Sequence, residues 1–137
     1  LRAIDYVRAR RKQDRVVAAF AGAFRGADVL VGATLPTAAA PIGAEEIEVA
    51  GRRESIIDAY MRLSAPQSMG GIPAASIPCG FTSEGLPIGL QLMAARGRQD
   101  LVSAVGAELQ RLTDHHRRRP PAALESSAWN RLSTSGR

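Results

Sequence analysis

The chain has few of the residues that usually announce a function. It holds one cysteine, Cys79, in 137 residues. A single cysteine excludes an internal disulfide, and by itself it cannot build a thiolate zinc site. Lys12 is the sole lysine, and aromatic residues make up only 4% of the chain. No apolar run approaches the roughly 18 residues that a membrane-spanning helix requires. No basic segment followed by an apolar core and a cleavage site marks a secretory signal, so a cytoplasmic compartment is the default expectation. No phosphate-cradling Gly-rich loop and no dinucleotide fingerprint occurs, and no cofactor is implied.

What is present is arginine, small residues and proline. The net charge of +5 is concentrated in "RARRKQDR" (8–15) and "HHRRRP" (115–120). A nucleic-acid-binding module would interleave such charge with aromatic or base-reading polar groups. The scarcity of aromatics favours a solvated helix face and a basic tail instead, and the basic module stands as the alternative of another class.

Periodicity divides the rest. Residues 1–25 read as a helix with an apolar stripe of Val17, Phe20, Ala21 and Phe24. "DVLVGA" (28–33) reads as a short buried strand, and "TLPTAAAPIG" (34–43) as an ordered loop. "AEEIEVAGRR" (44–53) is polar and turn-like, and is expected to be a surface excursion. A helix over 54–66 carries Ile57, Tyr60 and Met61, and Pro66 is expected to stop it. "AASIPCGF" and "LPIGLQLM" alternate like two strands of a hairpin around "TSEG" (82–85), with Gly85 free to take a positive φ. That alternation puts Ala75, Ile77, Cys79 and Phe81 on one face. Leu86, Ile88, Leu90 and Leu92 share a face of the second strand. A helix over 98–114 presents Leu101, Val105, Leu109 and Leu112, and residues 121–137 are turn-rich and expected to be a mobile tail.

The candidate reacting groups do not assemble. Cys79, among Ile77 and Phe81, behaves as a small hydrophobe, and nothing in the sequence brings His115 or His116 to it. Ser76 lies in "AASIPCG", not in the strand-to-helix elbow that projects a serine nucleophile. The adjacent histidines lack metal-ligand spacing and read as surface groups. The residues alone therefore describe an α/β piece without a catalytic set.

The order of segments adds to this. "GADVLVGATLPTAAAPIG", then "GGIPAASIPCGFTSEGLPIGLQLMA", then "ELQRLTDHHRRRP", resembles the C-terminal part of amidase signature enzymes. The matching positions are Asp28, Pro36, Thr37, Pro41, Gly71, Pro73, Ala74, Ser76, Pro78, Gly80, Phe81, Gly85, Leu86, Pro87, Gly89 and Gln91. They extend the resemblance over residues 1–120. It implies an α/β/α fold with a mixed sheet, in which helices flank a β-hairpin. Residues 1–120 would then be the C-terminal part of a larger amidase domain, followed by the tail.

In that family a serine, a second serine on a cis peptide bond and a lysine hydrolyse carboxylic amides, and they lie in the upstream half. None of the three can be matched here. The chain is thus expected to be a fragment, inactive alone, whose partners are a small-molecule amide substrate and the missing N-terminal part of the same enzyme. A homodimer is left open.

The resemblance also suggests pocket residues. The helix around 54–65 and the turn after it contribute to the family's acyl-binding pocket, which assigns Met61, Ala65 and Ser68 to substrate binding. The A subunits of tRNA-dependent amidotransferases are similar here but carry Asp at the position of Met61, facing the ammonium group of glutamine. Met61 suits an apolar acyl group. The frequent Asn of the family is replaced by Ser68.

Overall fold

A computed structural model describes residues 2–119. The expected tail over 121–137 lies outside the described residues. Helices and strands follow in the order α1 (Ala3–Ala23), β1 (Val29–Ala33), β2 (Glu46–Val49), β3 (Arg52–Ser55), α2 (Ile56–Gly70), β4 (Ala74–Phe81), β5 (Pro87–Ala94) and α3 (Gln99–Leu112), with a 3₁₀ turn at His115–Arg117. This is an α/β arrangement, with 45% of the described residues helical and 25% in strands.

The centre is an antiparallel sheet in the order β1-β5-β4. All strand pairings among the described residues are antiparallel. β5 takes the middle because its apolar residues can be buried from both sides, and residues 91–94 are its most enclosed stretch. On one face Leu92 and Ala94 meet Val102 of α3, with Ala75, Ile77, Leu90, Val29 and Leu101 around them. Gly106 of α3 lets that helix come close: a Cβ there would stand 3.3 Å from Ile77 Cδ1 and 3.8 Å from Leu92 Cδ1. Burial therefore runs along Val102 and Gly106, and the expected stripe is rotated. Leu101 and Leu109 border the buried face, whereas Val105 is 38% and Leu112 66% exposed.

The hairpin has the expected turn. Thr82 N–H donates to Leu86 O at 2.9 Å, Gly85 N–H donates to Thr82 O at 2.9 Å, and Gly85 takes φ 82°. The expected facing of the first strand fails beyond Pro78. Pro78 pairs with Gly89 and Gly80 with Ile88, which leaves Cys79 as the extra residue of a β-bulge. One additional residue inverts the alternation. Phe81, opposite Pro87, therefore lies on the face opposite to Ile77. Pro87 opens its strand, and Pro78 adjoins the bulge on a strand with one described neighbour, both places where a missing N–H is tolerated.

β1 is an edge strand of this sheet, with Val31 60% exposed, so it is half-covered instead of buried. The polar excursion is a second hairpin, β2 with β3, turned by Ala50 (φ 50°) and Gly51 (φ 78°). Paired positive φ angles give the turn whose twist suits a two-residue hairpin. The alternation of Glu46, Ile47, Glu48 and Val49 is the strand signal, with Ile47 and Val49 half-buried.

Pro66 does not stop α2, which runs on to Gly70. Pro66 lacks the N–H that would reach back one turn, but the following turn is held from outside the helix. Gln67, 7% exposed, donates from Nε2 to Gln91 Oε1 (2.7 Å) and to Met93 Sδ (3.0 Å). The helix then ends on Gly71 in the left-handed region (φ 63°, ψ 37°), with Ile72 N–H donating to Gln67 O at 3.0 Å. α1 packs against α2. Gln13 Nε2 donates to Met69 O at 2.8 Å, and the Phe20 ring lies where a Cβ on Gly70 would be 3.2 Å away. The covered side of α1 carries Gln13, Val16, Phe20 and Phe24, all half-buried. Val17 and Ala21 of the expected stripe are exposed, because among the described residues α1 packs chiefly on one short helix, α2.

No helix among the described residues is long and apolar enough to cross a membrane.

Candidate functional site

Met61, Ala65 and Ser68 lie along α2 at helical spacings of four and three, so they share one stripe. The buried residues of α2 are Ala59, Gln67 and Gly70, on the opposite side. Met61 is 50% exposed, Ser68 is exposed and Ala65 is half-buried. Ile57, one turn before Met61, is 72% exposed. The stripe is thus an apolar strip with a hydroxyl at its far end and nothing packed over it among the described residues. Clefts indent the surface of the described residues, and the two considered next are not lined by these three residues.

The first cleft, of about 610 Å³, opens between the loop after β1 and the hairpin. Tyr60 of α2 fixes that loop: its hydroxyl accepts from Ala40 N–H (3.0 Å) and donates to Ala38 O (3.4 Å). On the cleft wall the hydroxyls of Thr34 and Ser76 stand 2.6 Å apart, and Thr34 N–H donates to Gly89 O at 3.0 Å. Gly89 is required by this contact, since a Cβ there would meet Ser76 Oγ at 2.5 Å and Thr34 Oγ1 at 2.8 Å. Thr37 and Thr82 add two more hydroxyls, and none of the cleft's lining residues is a titratable base. Ser76 consequently has a hydroxyl partner but, among the described lining residues, nothing to take its proton.

Cys79 is equally unserved. Its thiol donates to Ile88 O at 3.5 Å, a backbone carbonyl that can orient the sulfur but not deprotonate it. His115 is engaged elsewhere, edge-on to Phe81 at a centroid distance of 5.9 Å. Among the described residues no group of three His, Cys, Asp or Glu side chains could hold a metal ion.

The second cleft, of about 590 Å³, forms where the 3₁₀ turn meets the hairpin, and its lining includes Phe81, Glu84, His115, His116, Arg118 and Arg119. The Arg118 guanidinium lies 4.2 Å above the Phe81 ring. Both histidines are half-buried instead of surface groups, and His116 Nδ1 is buried without a partner among the described residues. No residue spacing signals this grouping, because it depends on the bulge that turns Phe81 towards the chain leaving α3.

The shifted titrations belong to neither cleft. A hydrogen bond from Arg98 holds the Asp100 carboxyl below its ordinary range, and one from Arg111 does the same for Glu108. Both pairs are exposed on α3, where such bonds add little to stability.

Known proteins resemble the chain over most of its length. The family model described as Amidase matches residues 1–102. The A subunit of the glutamyl-tRNA(Gln) amidotransferase from Gloeothece citriformis is 36% identical over 118 residues, which are 85% of this chain and 23% of that protein. Its counterpart from Thiobacillus denitrificans is 34% identical over 119 residues, again 85% of this chain and 23% of the relative. Among solved structures, an amidase superposes with a TM-score of 0.76 at 32% identity, over 81% of this chain and 25% of its own. A 6-aminohexanoate cyclic dimer hydrolase superposes with a TM-score of 0.66 at 30% identity, over 82% of this chain and 24% of its own. The chain spans about a quarter of the length of the relatives it matches.

Proposed function

Since the chain belongs to the amidase family, we propose that it is the C-terminal wall of an amide-hydrolysing site whose reacting groups stand on polypeptide upstream of it. In this reading a serine of the upstream part attacks the amide carbon, the resulting oxyanion is held by backbone N–H groups there, and the products are a carboxylic acid and ammonia or an amine. The α2 stripe of Met61, Ala65 and Ser68 would line the acyl side of the substrate. The observation that supports this most is the uncovered state of that stripe. An apolar helix face with Ile57 at 72% and Met61 at 50% exposure needs a cover, and a substrate pocket closed by further chain supplies one. The hydroxyl and thiol of Ser76 and Cys79, each without a base, are consistent with chemistry located elsewhere.

A second reading rests on the curated relatives, which belong to amidotransferases. It would make glutamine the substrate and give the chain partner subunits. Met61 speaks against it, because a thioether offers no charge to an ammonium group. Met61→Asp in the enzyme containing this chain separates the two. On the first reading the unaltered enzyme hydrolyses small apolar or aryl amides and leaves glutamine intact. The carboxylate then lowers kcat/KM for the apolar amide by about tenfold or more, the effect of about 1.4 kcal/mol of unfavourable desolvation. Vigorous glutamine hydrolysis by the enzyme with Met61 in place would favour the amidotransferase reading.

A further inference from the structure

We propose that the cleft between the hairpin turn and the 3₁₀ turn is a binding site for a small carboxylate with an apolar body, independent of any amide hydrolysis. Two arginines, Arg118 and Arg119, line it against one carboxylate, Glu84. None of the three takes part in an ion pair among the described residues.

Arg118 is already oriented. Its guanidinium carbon lies 4.2 Å from the Phe81 ring centroid, and a cation–π contact of this kind does not consume the N–H donors of the group. Among the described residues those donors make no hydrogen bond to protein. A planar fork of free donors matches a carboxylate, which accepts two parallel bonds from it. Phe81 is itself held by the edge of His115, so the platform does not depend on Arg118 alone.

The remaining wall is apolar and decides what kind of acid fits. Leu86 and Pro87 line the cleft with Phe81 and present no side-chain donor or acceptor. A bare acetate or phosphate ion would leave that wall uncovered, whereas an aryl or branched alkyl body would cover it. A volume of about 590 Å³ is within the usual range for a small-molecule site.

The two histidines of the chain, His115 and His116, both line this cleft, so every imidazole NMR signal reports on it. The full chain is titrated with benzoate, acetate and inorganic phosphate at fixed pH and ionic strength, with chloride as the balancing ion. Expected are saturable shifts of both imidazoles with benzoate, at a concentration several-fold below that needed for acetate or phosphate. Arg118→Gln should weaken benzoate binding about tenfold, the loss of a charge-assisted hydrogen bond. Arg119→Gln should weaken it less, and Lys12→Gln, on α1, not at all. The proposal is overturned by an absence of saturable shifts, by equal responses to benzoate and phosphate, or by unchanged benzoate binding in both arginine variants.

Discussion

Leu92→Ala is expected to destabilise the chain by about 2–5 kcal/mol, the range for emptying a fully enclosed leucine site. Leu92 is 1% exposed and is the largest completely buried side chain among the described residues. It is enclosed by Val102 and Gly106 of α3 above and by Ala75 opposite on β4. The cavity would open between β5 and its two neighbours α3 and β4, which meet it there partly through small residues. Neither Ala75 nor Gly106 has atoms with which to refill it. Urea unfolding measures the effect as a lowered midpoint at constant slope. Leu112→Ala on the same helix, at 66% exposure, should stay within about 0.5 kcal/mol of the unaltered chain. Equal effects of the two would mean that α3 is not seated on the face described.

The second large effect is expected at Gly89. Alanine there places a methyl group 2.5 Å from Ser76 Oγ and 2.8 Å from Thr34 Oγ1, closer than these atoms can remain. Either the hydroxyl pair separates or β5 shifts against the loop, and overpacking of this kind costs about 1–3 kcal/mol. Because the obstruction is a side chain, it can be relieved. Ser76→Ala in the Gly89→Ala background removes the nearest atom and should recover part of the loss. The coupling between the two substitutions is then favourable and outside additivity. Strict additivity would show that Gly89 answers some constraint other than the Thr34–Ser76 contact.

Much of the fold was legible in the chain itself. The β4–β5 hairpin and α3 fall where periodicity and turn chemistry place them, and Gly85 takes the positive φ expected of it. The departures have local causes. Pro66 opposes a helix in isolation, yet the last turn of α2 is fixed by Gln67 reaching Gln91 and Met93, residues distant in sequence. The bulge at Cys79 leaves no mark in the residue pattern, yet it sets the face on which Phe81 meets Arg118. The β2–β3 hairpin was hidden by its charge, since Glu46, Glu48, Arg52 and Arg53 make a strand pair look like a loop. On α1 and α3 periodicity located the helices but misplaced the buried stripe by about one position, as only a packing partner can fix the rotation.

The site divides in the same way. That Ser76 and Cys79 lack an activating base could be anticipated from their neighbours, and the geometry agrees for both. The positions of Met61, Ala65 and Ser68 on one open stripe follow from helical spacing, while their assignment to an acyl pocket rests on family likeness. The clustering of Phe81, His115 and Arg118 could not be read from residues so far apart in the chain, because it requires both the bulge and the 3₁₀ turn after α3.

The central claim is that these residues shape a site without performing its chemistry. The most direct measurement is amide hydrolysis by the purified 137-residue chain, assayed alone and again joined to the upstream polypeptide proposed to complete the site. Alone, it should release no acid above the uncatalysed background from apolar, aryl or glutamine amides. Joined, it should turn over an amide, and Ser76→Ala and Cys79→Ala should leave that turnover within a few-fold. Hydrolysis by the chain alone that disappears on replacing Ser76 or Cys79 would contradict the claim.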